Sequence, residues 1–470
     1  MSDRPHGMPV WRLLPVSIVA GATLAGCGPQ VIGQSAPPTA HVLLAPTLAA
    51  LTTLVPTLAP TPTALPTSAP TEAPTVIPVT AAPAASAIAP TEQPTMSAQS
   101  AELRRQVFEE VWKLVDTKYL YPDFSGLRWQ TIYDEYLPRI AAATSDDGFY
   151  ADMAEMIALL DDHHSRFLPP ATALNEDTNN TGIETSVGIG VLTSHERDSG
   201  FIRTVFADSP AARADLRPRD RILAVDGRPY NDADGDILGL AGTTVRLAVL
   251  RPGEKPRDVV LERQEVQGRI TPTYRRFPGD IGYVAIPTLW VNDMDTQVSG
   301  AITELVAAGT MHGIIVDLRG NGGGWGHVLS GILGHFVRGP VGTFFDQKSA
   351  RVLNVTTPAG PDLRGLPVAV LIDGDTQSYA EVLAAVLQEG GAIVVGTPSA
   401  GNTESVYLYK LRDGSRLWLA QENFKLRSGV NLEGHGVQPD SVVDVEWKRY
   451  SEDDDPQMLE ALRLLGAGPK

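Results

Sequence analysis

The stretch that most restricts the fold of this chain is residues 368–401, in which two apolar runs flank a helical pattern. Val368–Ile372 is continuously apolar and breaks at Asp373-Gly374-Asp375, and the apolar run Ile393–Val395 follows the alanine-rich segment Tyr379–Gln388. This order predicts a β-turn-α-β unit with buried strands. At least one domain of the chain is therefore expected to be of the α/β class.

Ser378 lies at the elbow of this unit, at the first turn of the predicted helix. A hydroxyl in that position is exposed, and the helix dipole favours developing negative charge, as acyl transfer requires of a nucleophile. Serine also caps many helices without any chemical role. This stretch alone therefore leaves both interpretations open.

The first residues have the pattern of an export signal. Arg4 and Arg12 precede a short apolar run, Leu13–Leu24, which is too short to span a bilayer as a permanent helix. Leu24-Ala25-Gly26-Cys27 resembles the lipobox of bacterial lipoproteins, in which the cysteine is lipidated. Cys27 is the only cysteine, so a disulfide within the chain is excluded. The sequence predicts an exported protein, anchored by lipid to the outer face of a bacterial cell membrane.

Two features of composition restrict the rest of the chain. Residues 28–97 are rich in Pro, Thr and Ala and nearly free of charge, which predicts a disordered, extended tether. The formal net charge is −17, and no basic stripe is present. These two facts argue against a nucleic-acid partner.

Residues 98–185 read as a helical region, because apolar residues repeat three times at helical spacing. The third repeat leads into the adjacent pair His163-His164, followed by Ser165. No second pair with ligand spacing lies nearby, so no metal site is predicted. A surface pair and a catalytic base remain the two interpretations.

Residues 186–266 change to short alternating strands, the first expected to begin within Val187–Val191. A short helix, SPAARADL, precedes the strand and turn DRILAVDGRPY. This order resembles a PDZ domain, a family that adds an extended peptide to a sheet edge and holds its terminal carboxylate in backbone N–H groups. The resemblance implies that Gly188, Ile189 and Gly190 form the peptide-binding loop. Asp215 and Arg219 stand where that family usually has glycine.

In the last region, 267–470, a buried strand over Ile314–Arg319 runs into the glycine-rich segment Gly320–Gly326. The segment has neither the dinucleotide-binding spacing nor a phosphate-loop Gly-Lys-Ser/Thr, so nucleotide binding is not predicted. Bare backbone N–H groups at a strand exit are what an oxyanion hole requires. With Ser378 at a second exit of the same sheet, two neighbouring crossovers would supply the nucleophile and the anion donors.

Taken together, the chain resembles the carboxyl-terminal processing proteases, tail-specific serine peptidases that join a PDZ domain to a crotonase-like αβ core. The motifs that carry the resemblance are LDDHHSRFL, VGIGV, DLRGNGGG, SYAEVLAAVLQEGGAIVVG and GHGVQPDSVVDV. The resemblance implies that Ser378 is the nucleophile. It also implies that the backbone N–H groups of Gly323 and Tyr379 form the oxyanion hole.

One departure concerns the general base. The commonest branch of the family has a lysine where this chain has Asn402, and an asparagine side chain cannot accept the serine proton. A second branch, which resembles the tricorn core protease, uses a His-Ser pair from the N-terminal region. His164-Ser165 matches that pair, and Glu404 is the carboxylate expected to orient the ring. His435 and the absence of any base remain alternatives.

The sequence thus predicts an exported serine endopeptidase that cleaves extended or C-terminal polypeptide segments with help from a PDZ domain and without metal or organic cofactor. The first alternative is a catalytically inactive peptide-binding lipoprotein, and the second is a crotonase-like enzyme for a small acyl substrate, against which the PDZ segment argues. The predicted architecture is α/β multi-domain, with these parts: lipoprotein signal peptide (1–27), tether (28–97), N-terminal helical region (98–185), PDZ-like β-rich domain (186–266) and crotonase-like αβ peptidase core (267–470).

Overall fold

The computed structural model describes residues 98–162, 164–232 and 234–467. The predicted signal peptide with Cys27, the predicted tether and His163 lie outside these residues. Within the described part, no helix is long and apolar enough to cross a membrane.

The N-terminal region is mainly helical. In chain order its elements are α1 (Ala98–Lys118), α2 (Trp129–Ala142), α3 (Asp146–Ala158), β1 (Arg166–Leu168) and α4 (Pro170–Asn179). The apolar positions of the first three helices are buried in one cluster, which includes Val111, Tyr136 and Met153. This burial is the reason for the helical spacing seen in the sequence.

The next region is a small antiparallel β-domain. Its elements are β2 (Ile183–Gly188), β3 (Val191–His195), β4 (Gly200–Val205), α5 (Pro210–Arg213), β5 (Arg221–Val225), β6 (Arg228–Pro229), β7 (Thr244–Leu250), β8 (Arg257–Glu262) and β9 (Gln264–Arg269). The main sheet has the order β3-β4-β5-β7-β8, with β6 on β5, while β2 pairs with β9. The single strand expected within Val187–Val191 is instead a junction of two strands, because Gly190 has a φ of +82° and turns the chain.

Asp215 and Arg219 occupy positions where the PDZ family usually has glycine, and the structure shows how they are accommodated. Both have positive φ, 55° and 75°, where a glycine would be unstrained. Their side chains are tied down instead: Asp215 accepts a hydrogen bond from Arg251 at 3.0 Å, and Arg219 pairs with the buried Asp455 at 3.1 Å. The turns that glycine would make are thus retained by side-chain contacts.

The last region contains a six-stranded, mostly parallel sheet. Its elements are β10 (Thr273–Phe277), β11 (Ile281–Ala285), α6 (Met294–Ala307), β12 (Gly313–Asp317), α7 (Gly326–Leu333), β13 (Gly339–Phe345), β14 (Ala350–Val355), β15 (Val368–Ile372), α8 (Tyr379–Glu389), β16 (Ile393–Gly396), β17 (Ser405–Lys410), β18 (Arg416–Leu426), β19 (Ser441–Val442) and α9 (Pro456–Leu464). The order is β10-β11-β12-β15-β16-β19, and only β10 is antiparallel to its neighbour.

This sheet is buried on both faces. Ile314 and Val316 of β12 pack into the cluster formed with α6, α7 and α8, whereas Ile315 packs against α9. Strands covered on both sides need apolar residues at every position, which is why they read as continuous apolar runs. β12 and β15 are adjacent and parallel, so the prediction that both strand exits belong to one sheet is confirmed.

A second sheet joins the N-terminal region to the last one. Its order is β1-β18-β13-β14, with β17 also on β18. β1 pairs antiparallel with β18, bringing Arg166 opposite Trp418. Leu417 and Leu419 of β18 belong to the same apolar cluster as α1, α2 and α3. The loop that carries His164 immediately precedes β1, so this pairing determines where the histidine lies.

Candidate active site

Ser378 lies between the end of β15 and the first residue of α8, in a strained conformation. Its φ and ψ are 55° and −129°, a region that a non-glycine residue adopts only when its surroundings impose it. The surroundings do so here: the Ser378 N–H donates to the Asn402 carbonyl at 2.8 Å and to the Glu381 carboxylate at 3.0 Å. The predicted nucleophile is thus presented by a strained, doubly held elbow.

Glu381 makes several of the hydrogen bonds that hold this elbow. Its carboxylate is fully buried and accepts hydrogen bonds from Ser399 Oγ at 2.6 Å, Gly401 N–H at 2.7 Å and Asn402 N–H at 2.9 Å, besides that of Ser378. The carboxylate therefore holds the segment after β16 against the start of α8. Glu381 lies three residues after Ser378, and its other partners lie beyond β16, where no pattern of the sequence links them to it.

The glycine-rich turn after β12 touches Ser378 directly. A Cβ built on Gly323 would come within 2.7 Å of Ser378 Cβ and 3.0 Å of Tyr379 N, so glycine alone fits. The Gly323 N–H donates to Asn321 Oδ1 at 2.9 Å, whereas Tyr379 N–H has no protein acceptor within the described residues. The two predicted oxyanion donors thus differ: the N–H of Gly323 already has an acceptor, whereas the N–H of Tyr379 has none.

A buried ion pair lies at the carboxyl end of β12, just before the glycine turn. The Arg319 guanidinium contacts Asp317 at 2.6 Å and Asp455 at 2.8 Å, and it lies over the ring of Trp447. Burial would raise the pKa of Asp317, but the charge of Arg319 and its hydrogen bonds together outweigh burial and lower that pKa. This network fixes the end of β12 and so the start of the turn.

His164 is held by Glu404. The distance from His164 Nδ1 to Glu404 Oε2 is 2.9 Å, and both side chains are largely buried, 14% and 5% exposed. Asp162 Oδ1 accepts from the His164 N–H at 2.8 Å, and Ser165 Oγ accepts from Ala420 N–H at 3.1 Å. The histidine loop is therefore fixed to β18 as well as to Glu404.

Tyr121 completes the surroundings of Glu404, and sequence reasoning did not find it. Its hydroxyl donates to Glu404 Oε1 at 2.5 Å, on the carboxylate oxygen that His164 does not use. Burial, followed by the Glu404 carboxylate, raises the pKa of Tyr121 above its ordinary value. The phenol therefore stays protonated and can only donate to Glu404.

A second carboxylate lies beside Glu404. Glu433 accepts from Thr403 N–H at 2.7 Å and from Thr403 Oγ1 at 3.1 Å. Burial, followed by the negative charge of Glu404, raises the pKa of Glu433. The imidazole of His164 thus lies near two carboxylates, of which Glu404 makes the direct contact.

One short segment connects the two halves of the site. Asn402 accepts from the backbone of Ser378, and Glu404, two residues later, contacts His164. Within the described residues, no hydrogen bond joins Ser378 Oγ to the His164 ring, and the ring atom Nε2 has no protein partner. Catalytic hydrogen bonds are often long before substrate binds. His435, the alternative base, is exposed, and its Nδ1 contacts the Glu433 carbonyl at 2.9 Å.

The predicted peptide-binding loop lies between β2 and β3. Ile189 is buried, and the carbonyls of Ile189 and Gly190 accept from Ala211 N–H at 2.9 Å and Phe206 N–H at 3.0 Å. The N–H of Gly190 has no protein acceptor in the part of the chain that the structure describes, whereas the Ile189 N–H faces the Ile237 carbonyl. Gly188 forms an isolated bridge with Leu238. No cluster of three potential metal-ligating side chains occurs among the described residues.

Three family models match this chain. The model of peptidase family S41 matches residues 280–443, that of the tricorn protease C1 domain matches 100–158, and that of the PDZ domain matches 201–251. The chain belongs to the PDZ-containing carboxyl-terminal processing proteases. It is therefore a serine-type peptidase, and the resemblance found in the sequence is confirmed.

Proteins and solved structures that are similar to this chain support the same family. The carboxyl-terminal-processing protease of Synechocystis is 28% identical over 397 residues, which cover 80% of this chain and 90% of that protein. The solved photosystem II D1 C-terminal processing protease is 26% identical, with a TM-score of 0.51, and the match covers 77% of this chain and 97% of that one. A solved putative S41 protease from Bacteroides fragilis has a TM-score of 0.54 at 15% identity, covering 76% and 97% of the two chains, and supports the fold alone.

Proposed function

We propose that this chain is an exported endopeptidase in which Ser378 attacks the scissile carbonyl and His164 accepts its proton. The observation that carries the proposal is the contact of His164 Nδ1 with Glu404, which leaves Nε2 as the atom that can take the proton. His164 then returns the proton to the leaving amine, and water resolves the acyl-enzyme. Glu404 orients the ring and stabilises the imidazolium that forms.

The oxyanion of the tetrahedral intermediate would be held beside the glycine turn. The backbone N–H of Tyr379 is available at the start of α8, where the helix dipole also favours negative charge. For Gly323 to donate as well, the oxyanion must replace Asn321 Oδ1 as its acceptor. Because an oxyanion is a stronger acceptor than a neutral amide oxygen, this exchange is favourable.

The replacement of the family lysine by Asn402 does not leave the proposed enzyme without a base. The Asn402 carbonyl holds the Ser378 backbone, and proton transfer falls to His164. If no residue accepts the serine proton, the chain is instead the peptide-binding pseudo-peptidase, which binds but does not cleave. The assay below separates these two functions.

The proposed substrates are extended polypeptides with a free C-terminus. β3 lies at the edge of its sheet, where an added strand can pair, and the N–H of Gly190 is available to a terminal carboxylate. The relatives described above are named for C-terminal processing. No metal or organic cofactor has a step in this mechanism.

Export and lipid anchoring are part of the proposal and rest on the N-terminal sequence. The apolar run Leu13–Leu24 and the lipobox-like tetrapeptide ending at Cys27 support them. Cells that produce the full-length chain should incorporate labelled palmitate into it, and Cys27→Ser should abolish the label. Equal labelling of both proteins would contradict lipidation at this cysteine.

The decisive experiment treats the full-length chain with a fluorophosphonate probe and, separately, with an unfolded protein substrate. Ser378→Ala should abolish both labelling and cleavage. His164→Ala should lower both rates by at least about 10³-fold, whereas His435→Ala, which alters an exposed histidine, should leave them within about twofold. Full labelling of His164→Ala would retain the nucleophile and exclude this base, and peptide binding without any cleavage by the unmutated chain would favour the pseudo-peptidase.

A further inference from the structure

A cavity of about 410 Å³ lies between the PDZ domain and the loop that follows β11. Leu192 and Thr193 of the edge strand β3 line it, and so do Pro287, Thr288 and Trp290 of the loop. Its volume is within the range of about 300–1,000 Å³ that ligand-binding cavities have. A polypeptide paired with β3 would therefore pass along this cavity.

The inner wall of the cavity is continuous with the candidate active site. Leu289 N–H donates to the Gly323 carbonyl at 2.8 Å, and Trp325 N–H donates to the Leu289 carbonyl at 2.9 Å. A Cβ on Gly324 would clash with the backbone of Leu289 and Trp290, just as one on Gly323 would clash with Ser378. Only two glycines therefore separate Trp290 from the predicted nucleophile.

Trp290 belongs to a rigid group of three tryptophans. Its ring centroid lies 5.2 Å from that of Trp325 and 5.5 Å from that of Trp418, both nearly edge-on. Trp325 donates its indole N–H to the Trp290 carbonyl at 2.8 Å, and Trp418 donates to Glu176 at 2.9 Å. These contacts fix the ring of Trp290 in position before any ligand binds.

Trp290 also differs from the other tryptophans in its indole N–H. Of the six tryptophans in the described residues, five donate this N–H to a protein acceptor, and Trp290 does not. Its side chain is half-buried, so ring and donor are both accessible. A tryptophan with an apolar face and an available donor suits a peptide, which offers a side chain and a carbonyl together.

Most polar groups of the cavity walls already have partners. Thr193 Oγ1 contacts Tyr230 at 2.9 Å, Thr288 Oγ1 accepts from Trp290 N–H at 3.1 Å, and Arg166 pairs with Glu176 at 2.8 Å. The apolar part of the lining comes from Leu192, Ile270, Pro287, Trp290 and Val291, and the other polar lining residues are Asn179, Asn180, Glu184, Arg203 and Thr204. Against the apolar part of the lining, a charged or strongly polar side chain would lose its hydration without gaining a partner.

We propose that this cavity is a specificity subsite, which binds a large apolar side chain of the polypeptide on the segment between β3 and the bond held at Ser378. Trp290 supplies the apolar wall, and its indole N–H binds a carbonyl of the same segment. This inference rests on the proposed function, because it assumes that the polypeptide runs from the PDZ edge strand to the serine. It adds the chemical class of residue that the peptidase selects.

The test measures binding in full-length Ser378→Ala, so that no peptide is consumed. The ligands are fluorescently labelled peptides of equal length with a free C-terminus. Each peptide carries one test residue, Leu, Phe, Ser or Asp, and the position of this residue differs from peptide to peptide. Fluorescence anisotropy gives the affinity of each peptide. We expect one position at which Leu and Phe bind about tenfold more tightly than Ser, with Asp weakest. Adding Trp290→Ala should remove this preference, whereas Trp290→Phe should retain most of it.

The matched control is Leu459→Ala, which removes a partly exposed leucine on α9 and should leave the preference unchanged. A ratio of two affinities within one preparation does not depend on the folded fraction, so partial unfolding of Trp290→Ala does not obscure the result. No preferred position, or a preference that survives in Trp290→Ala, would overturn the subsite. Loss of the proposed function would show separately, as absent fluorophosphonate labelling of the unmutated chain.

Discussion

The two halves of the candidate active site are built in different ways. The contacts that hold Ser378 come from residues close in the chain: Glu381 lies three residues away, and Gly401 and Asn402 lie 20 and 21 residues beyond Glu381. The contact that holds His164 joins residues 240 apart, and Tyr121 reaches Glu404 across 283 residues.

This difference teaches that the proposed nucleophile and the proposed base depend on different parts of the fold. The contacts of the Ser378 elbow lie within β15, α8, the segment after β16 and the neighbouring glycine turn. His164 reaches its place only when β1 pairs with β18 and the N-terminal helices pack on the same strand. Loss of that long-range packing should leave an intact elbow without its base.

The largest expected effect comes from changing the His164 half alone. Glu404→Gln keeps the size of the side chain but removes the charge that orients the ring, so the rate of cleavage should fall by about 10³–10⁴-fold, as in other serine-peptidase triads. Peptide hydrolysis at substrate saturation is the measurement. Glu460→Gln on α9 is the control and should be active, and a loss below tenfold for Glu404→Gln would mean that Glu404 does not orient the base.

The next largest effect is expected from a substitution in the Ser378 half of the site. Gly323→Ala places a methyl group within 2.7 Å of Ser378 Cβ at a φ of +83°, so the serine must move. A displacement of about 1 Å at a reacting atom costs on the order of 10²-fold in rate. Fluorophosphonate labelling should fall by at least this factor.

The neighbouring glycine provides the control for that substitution. Gly322 is exposed, and a Cβ on it would meet nothing within 4 Å. Gly322→Ala should therefore label at nearly the unmutated rate. Equal losses in both variants would mean that the turn as a whole, rather than the contact with Ser378, is sensitive.

A smaller effect is expected from Tyr121→Phe, which removes one hydrogen bond to Glu404 and leaves His164 in contact with the other oxygen. A hydrogen bond to a charged group contributes about 1.5–3 kcal/mol, so cleavage should slow roughly tenfold. If Tyr121 acts by positioning Glu404, this substitution should add little to the defect of Glu404→Gln. Independent, multiplicative losses in the double variant would contradict that role.

The smallest effect concerns stability and pH. Because the pKa of Glu433 is raised, the folded protein keeps this proton to a higher pH than the unfolded chain does. Stability is therefore lost as the pH rises from the ordinary range of glutamate through the raised pKa. Glu433→Gln should melt slightly above the unmutated chain at neutral pH, and the gap should close in acid; a gap that is constant with pH would exclude this titration.

Several features of the fold and site could be predicted from the sequence because they are local. The elbow at Ser378, the glycine turn at Gly320–Gly324 and the helical stripes each follow from residues within one or two elements. The junction at Gly190 was predicted as one strand, since the positive φ of a single glycine leaves the alternating pattern unchanged. The engagement of the Gly323 N–H by Asn321 also had no signal in the sequence.

The long-range contacts could not be predicted in this way. Tyr121 and Glu433 meet Glu404 from distant parts of the chain, and Trp290, Trp325 and Trp418 meet through three separate elements. No periodicity joins residues so far apart. The match of His164 and Glu404 rested on resemblance to a family, and the experiments above test their roles.

By itself, the sequence determined the class of core, the corner that presents Ser378 and the turn of glycines that faces it. Backbone propensity and apolar spacing act over a few residues, so the residues within each element determine these features. Only the tertiary structure decided which carboxylate holds His164 and which tryptophan keeps a free indole N–H at the cavity. Such choices depend on sheet pairing and burial between distant segments, which no local pattern specifies.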